Sequence, residues 1–281
     1  MTKNKQPDSS PTLLAHDPAA EAHLFLASPD DWTSETYAPE ALELLSDKER
    51  KRHDSMGHPL AQRLFLTGRA LARSALSHFA GRDPANWTFQ AGQHGRPRIV
   101  NDPEATSLDF NLAHTDRLVV CLITLGKTGG VDVESTQRSL DPLRMAEHSF
   151  APEEAADLKL FEGQDRQDRF LAYWTLKEAY LKARGTGFSL LLDAAVFRFP
   201  EEGVMNARFA RRTEDDPRDW QFNLFRAPGE HLVAVALRHG RGVPVRIVTR
   251  WAKPAPSPDF ISSRPIVLEA TASSRRKPDT R

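Results

Sequence analysis

Residues 130–134 read GVDVE, two carboxylates set into what otherwise looks like a buried strand. Upstream, Arg117–Leu125 (RLVVCLITL) is rich in branched aliphatics and stops at Gly126, and a Lys127-Thr128-Gly129-Gly130 turn is expected to follow. Val131 and Val133 then alternate with Asp132 and Glu134, so a period of two puts the valines on one face and both acids on the other. Charged side chains are rarely buried without a partner. Two like charges two residues apart repel, and a positive group is expected between them.

The chain has 281 residues, 40% of them hydrophobic, which suffices for one large or two small cores. Lys and Arg balance Asp and Glu, which argues against a nucleic-acid partner. The lone Cys121 excludes an intrachain disulfide framework and, sitting in an aliphatic run, reads as a core residue of a protein in a reducing cytoplasm. The opening MTKNKQPDSSPT has no apolar segment, and no apolar run reaches membrane-spanning length, so no membrane association is expected.

Four regions follow from composition. Residues 1–20 and 251–281 are polar and Pro/Ser-bearing and are expected to be disordered tails, flanking α/β halves at 21–129 and 130–250. In the first half, Ala22–Ala27 reads as a strand. Ser46 followed three residues later by Glu49 marks a helix start, and 59–80 (PLAQRLFLTGRALARSALSHFA) carries apolar residues at helical spacing before Gly81 ends it. Short strands are expected at 87–90, 98–100, 108–112 and 117–125. In the second half, Ala151-Pro152-Glu153-Glu154 opens a helix. A longer helix is predicted from about 165 to 183, stopped by Gly185-Thr186-Gly187, with strands at 194–199, 220–225, 232–237 and 245–248.

The second informative stretch is 174–187, WTLKEAYLKARGTG. Trp174, Glu178 and Lys182 are each four apart and form one row on a helix. Alone, that row is a surface Glu–Lys pair beside an aromatic. Set against the strand, Glu178 offers a third hard oxygen next to Asp132 and Glu134, a donor set that suits Mg²⁺. No Cys/His cluster has zinc spacing.

GVDVE resembles the (V/I)G(I/V)D(I/V)E motif, and WTLKEAYLKARGTG the W(S/T/A)xKE(A/S)xxKxxGxG motif, of 4′-phosphopantetheinyl transferases, the long surfactin-type class above all. Order and separation agree. Gly95-Arg96-Pro97 resembles that family's GKP or GRP element, Asn111-Leu112-Ala113-His114 its N(I/L)SH element, and Leu45–Arg50 its LSxxER opening. The likeness spans roughly residues 40–190. Ala113 stands where the family has serine, which removes one hydroxyl, and the long tails lie outside the pattern.

The resemblance implies two similar α/β halves packed as a monomeric pseudo-dimer with the active site between them. It also implies transfer of the phosphopantetheine arm of coenzyme A to a serine of an apo acyl or peptidyl carrier protein, releasing adenosine 3′,5′-bisphosphate. Asp132, Glu134 and Glu178 would hold Mg²⁺, with Mn²⁺ the other oxygen-loving possibility. Glu178 would accept the serine proton and Lys182 would stabilise the leaving group. Coenzyme A needs cations, and seven Lys/Arg against two acids lie between Lys48 and Arg73. Arg50, Arg63, Arg96 and His114, with Lys182, are the expected contacts, Arg50 and Arg63 being preferred to Arg52 and Arg69. Competing readings are an inactive homologue that only binds carrier or coenzyme A, and a Mg²⁺-dependent nuclease. Retention of all three acids with Lys182 argues against the first, and balanced charge against the second.

Overall fold

The computed structural model describes residues 20–92, 95–101, 107–185, 191–254 and 261–274. Residues 1–19 of the expected N-terminal tail (1–20), residues 255–260 and 275–281 of the expected C-terminal tail (251–281), and Thr186 and Gly187 of the expected helix stop lie outside these residues.

The first half runs β1 (Glu21–Ala27), α1 (Pro29–Trp32), α2 (Ala38–Glu43), α3 (Asp47–Asp54), α4 (Pro59–Ala80), β2 (Phe89–Ala91), β3 (Pro97–Ile99), β4 (Leu108–His114) and β5 (Val119–Leu125). The second runs β6 (Thr128–Ser135), α5 (Pro142–Ser149), α6 (Pro152–Leu158), α7 (Gly163–Arg184), β7 (Ala195–Glu201), β8 (Gly203–Phe209), β9 (Trp220–Ala227) and β10 (His231–Arg238). Three strands close the described chain: β11 (Arg246–Pro254), β12 (Ile261–Pro265) and β13 (Glu269–Ser274).

Two sheets result, a five-stranded one in the order β12-β11-β1-β5-β4 and a six-stranded one in the order β6-β10-β9-β13-β8-β7, with β2 and β3 as a separate ribbon. Strand alternation sorts their side chains into three cores. On β1 and β5, Phe25, Cys121 and Ile123 face α4 with Leu71 and Leu76. On β10, Leu232, Ala234 and Ala236 join Leu176, Tyr180 and Phe222 in the core under α7. Leu24, Leu122, Val131, Val133, Val233 and Val235 meet between the two sheets. The layers are therefore helix, sheet, sheet, helix, and each large aliphatic fully buried in them contributes about 1.5–3 kcal/mol. Among the described residues, no helix is long and apolar enough to cross a membrane.

Two expectations are corrected. The strand bearing the acids begins at Thr128, so Gly129 and Gly130 belong to its pairing with β10, opposite Leu237 and Ala236, and the turn is confined to Gly126-Lys127. The region after Trp251 is not simply a tail. β11 lies parallel to β1, so the C-terminal segment returns to the sheet of the first half. β13 inserts between β9 and β8 of the other sheet. Local composition hides this, because backbone pairing with neighbours, not a helix-like pattern of their own, holds such strands.

Candidate active site

The site lies where β6 meets α7. A Cβ built on Gly130 falls 2.1 Å from the Ala179 carbonyl oxygen and 2.4 Å from the Ala183 amide nitrogen. Only a residue without a side chain lets helix and strand come this close. Two residues along β6, Asp132 is buried, and Lys182 Nζ donates to its Oδ1 at 2.6 Å. The other oxygen, Oδ2, is buried without a hydrogen-bond partner. Glu134, at the strand's outer end, is paired with Arg138 at 3.1 Å.

On α7 the predicted row holds, with Trp174, Glu178 and Lys182 all partly exposed. Trp174 rests against Phe150 and Phe170 at ring-centroid separations of 6.4 and 5.9 Å. Burial pushes the Asp132 carboxyl above the usual carboxylate range, although the Lys182 ammonium opposes this. Glu134 is raised by burial and by the charge of Asp132. Glu178 is raised by burial and by the charges of Asp132 and Glu134. The three acids thus share one field, in which Asp132 makes Glu134 and Glu178 harder to ionise and Glu134 does the same to Glu178.

Among the described residues, no set of three or more His, Cys, Asp or Glu side chains is drawn together as a ready metal centre. The chemistry of the donors nonetheless suits a hard divalent cation. All three are carboxylates, they repel one another, and one buried oxygen of Asp132 has nothing to bind.

A cavity of about 630 Å³ opens beside these groups, lined by cations from the first half and by Glu178 and Lys182 from α7. Its basic lining is Arg52, His58, Arg69, Arg96, His114 and Lys182. Arg69 hangs over the rings of Phe65 and Phe89, shares Glu49 with Arg73, and has a buried Nη1 without a hydrogen-bond partner. Loss of hydration holds its guanidinium below its ordinary range. Arg52 also lies over the Phe65 ring, 5.4 Å from its centroid. His114, at the rim, is held below the usual histidine range by loss of hydration and then by the Lys182 ammonium.

The structure places the expected cations unevenly. Arg50 donates to the Leu42 carbonyl, and Arg63 to Asp30 and Thr33 Oγ1; neither is among the described residues lining the cavity. Arg52 and Arg69 take that place. Arg96 reaches the cavity wall, but its terminal nitrogens are engaged by Asp109 and by backbone carbonyls. Asn111, from the NLAH element, accepts from the Val131 amide at 2.8 Å and so ties β4 to β6.

Two residues escape a sequence reading. Lys177, beside Glu178, is fully buried, pairs with the equally buried Glu154 at 2.6 Å, and donates to the Leu192 carbonyl. Glu154 also accepts from the Ala151 and Phe197 amides, which locks α6, α7 and β7 together. The signal was present: Lys177 falls on the helix face of Tyr173, Leu176 and Tyr180. His58 is the other. It caps α4 through Leu60 N and lines the cavity, and a histidine before proline carries no distinctive pattern.

On the far side of Glu178 a recess of about 300 Å³ is lined by Phe150, Trp174, Leu181, Leu191 and Leu192. Glu178 and Leu181 line both spaces, so the acid stands between the cavity that carries the arginines and this recess.

Comparison with known proteins gives one family. The family model for the 4′-phosphopantetheinyl transferase superfamily matches residues 129–236. The 4′-phosphopantetheinyl transferase HetI of Nostoc sp. is 30% identical over 182 residues, covering 65% of this chain and 76% of the relative. A phosphopantetheinyl transferase of Thraustochytrium sp. is 31% identical over 208 residues, covering 69% and 70%. The 4′-phosphopantetheinyl transferase Sfp of Bacillus subtilis is 28% identical over 165 residues, covering 59% and 71%.

Proposed function

This chain belongs to the 4′-phosphopantetheinyl transferase superfamily, and from that premise we propose how its cleft carries out transfer of phosphopantetheine from coenzyme A to a carrier protein. The supporting observation is a single one. A cavity whose largely apolar wall carries three arginines and two histidines reaches Glu178 and Lys182, and Lys182 is bonded to Asp132, whose other oxygen is unpartnered.

Coenzyme A carries its negative charge in a 3′-phosphate and a diphosphate. Arg52 and Arg69 hold the 3′-phosphate end, where planar guanidinium groups match phosphate oxygens. His114, neutral at physiological pH, donates a hydrogen bond to the coenzyme at the rim. The diphosphate lies toward Lys182 and the acids. Asp132, Glu134 and Glu178 would hold a divalent cation there, Mg²⁺ or Mn²⁺, which when bound neutralises diphosphate charge.

The acceptor serine enters from the apolar recess, past Trp174, Phe150 and Leu191. Its oxygen attacks the phosphorus that carries the pantetheine arm, and the bond to adenosine 3′,5′-bisphosphate breaks. Glu178 takes the serine proton; a carboxylate whose proton affinity is raised is the better base. Lys182 gives its charge to the departing phosphate, at the moment when the oxygen becomes more negative. The halves at 21–129 and 130–250 supply the two walls, the first the coenzyme cations and the second the acids. We take the protein to act as a monomer in the cytoplasm.

The test is incubation with coenzyme A, Mg²⁺ and an apo carrier protein, read by intact mass of the carrier. A phosphopantetheine mass gain that EDTA abolishes is expected. An unmodified panel of fatty-acid, polyketide and peptide carriers sinks the reading, and near-normal rates in Asp132→Ala or Glu178→Ala sink the metal assignment.

A further inference from the structure

We propose that Arg96 is a positioning residue, which fixes the C-terminal turn of α7 against β6 and β4 and so sets the place of Lys182 and Glu178. The inference rests on the function proposed above for those two side chains. Arg96 precedes β3, on the opposite half from both of them. Its Nη1 donates to the Lys182 carbonyl at 2.7 Å and the Ala183 carbonyl at 3.2 Å. Its Nη2 donates to the Gly129 carbonyl at 3.0 Å, the Phe110 carbonyl at 3.3 Å and Asp109 Oδ2 at 2.6 Å. One guanidinium therefore joins the last turn of α7, the start of β6 and the strand β4.

Three features make this more than a surface contact. The carbonyls of a final helical turn lack intrahelical donors and carry the negative end of the helix dipole, so a cation there is favoured. The left-handed Gly185 (φ 66°) closes the helix with its own N–H on the Leu181 and Lys182 carbonyls, and Arg96 gives the Lys182 carbonyl a second donor and reaches the Ala183 carbonyl, which the cap does not. Most of all, Lys182 is held from both ends, its backbone by Arg96 and its ammonium by Asp132. In this chain the planar fork lets two terminal nitrogens serve different elements, Nη1 the last turn of α7 and Nη2 the strands β6 and β4. Asp109 completes the device from outside the coenzyme cavity, in a separate groove that it shares with Arg98 and Lys127.

The variants are Arg96→Lys, which keeps the charge, and Asp109→Asn, which leaves Arg96 in place without its carboxylate. Each is assayed with coenzyme A and with 3′-dephospho-coenzyme A, and by hydrogen exchange over residues 181–185. A positioning role lowers kcat by about tenfold or more, changes KM for both coenzymes alike and little, and speeds exchange in that last turn. Asp109→Asn carries the test if Arg96→Lys does not fold. The proposal is overturned if Arg96→Lys raises KM for coenzyme A alone with kcat intact, which marks a direct 3′-phosphate ligand. It is equally overturned if exchange at 181–185 stays at the wild-type rate in both variants. Should the wild-type protein transfer nothing, the functional reading falls, while the exchange rates alone still decide the staple.

Discussion

Replacing Gly130 by alanine tests the geometry on which the site depends. The new methyl carbon lands 2.1 Å from the Ala179 oxygen, 2.4 Å from the Ala183 nitrogen and 2.9 Å from the Ala183 Cα. Relaxed carbon–oxygen contacts are about 3.3–3.6 Å, so α7 and β6 must separate by on the order of 1 Å. All three colliding atoms are backbone, and no rotamer change relieves them. The retreat carries Glu178 and Lys182 away from Asp132, only two residues from the substituted position. A misplacement of about 1 Å costs roughly 100-fold in rate, and overpacking costs about 1–3 kcal/mol of stability. Gly129→Ala is the control. The nearest atoms to its methyl are all side-chain atoms, of Leu122, Leu237 and Thr124 at 2.8–3.1 Å, and not the α7 backbone, so its rate loss is smaller. The assay is initial rate of carrier modification beside a thermal melt. Since Ala179→Gly removes no colliding atom, adding it to Gly130→Ala restores nothing. Wild-type turnover in Gly130→Ala refutes the reasoning outright.

Three further outcomes are expected. Asp132, Glu134 and Glu178 hold protons more tightly folded than unfolded; stability from these groups is therefore full at low pH and lost as pH rises through their folded range. Melts in EDTA from about pH 4 upward should fall less steeply in Glu178→Gln than in wild type, and parallel curves count against the shared field. Arg69→Gln should raise KM for coenzyme A by about tenfold, the scale of one charge-assisted contact, whereas Arg63→Gln, bound to Asp30 and Thr33, should leave KM alone; the reverse pattern restores Arg63 to the site. A chain ended after Pro254 loses β12 and β13 and uncovers β9, so its melting temperature should drop by several degrees; an unchanged melt shows that these strands contribute nothing.

Much of this was legible in the residues. Alternation in GVDVE placed both valines between the sheets and both acids away from them, and four-residue spacing placed Trp174, Glu178 and Lys182 on one edge of α7. The choice among arginines was not legible. Arg50, Arg52, Arg63 and Arg69 sit on two short-range helical faces whose orientation depends on tertiary partners. Asp30, thirty-three residues from Arg63, and the Leu42 carbonyl decide which two turn away. Glu49 shows the same limit: the capping box with Ser46 was readable, its second task of neutralising Arg69 and Arg73 was not. The C-terminal strands were hidden for a related reason. A strand wedged between β9 and β8 answers to their open backbone groups, and proline and serine nearby say nothing about that.

The return of β11 to the edge of β1 bears on how the protein could be divided. Severing the polypeptide at the junction near residue 128 yields no pair of self-sufficient pieces, because the first would lack the strand that covers its open side. Bare amide and carbonyl groups along such a margin invite pairing with other molecules. The chain passes between the two sheets three times, at β5–β6, at β10–β11 and at β12–β13, so the two walls of the cleft hang on three covalent pins rather than one.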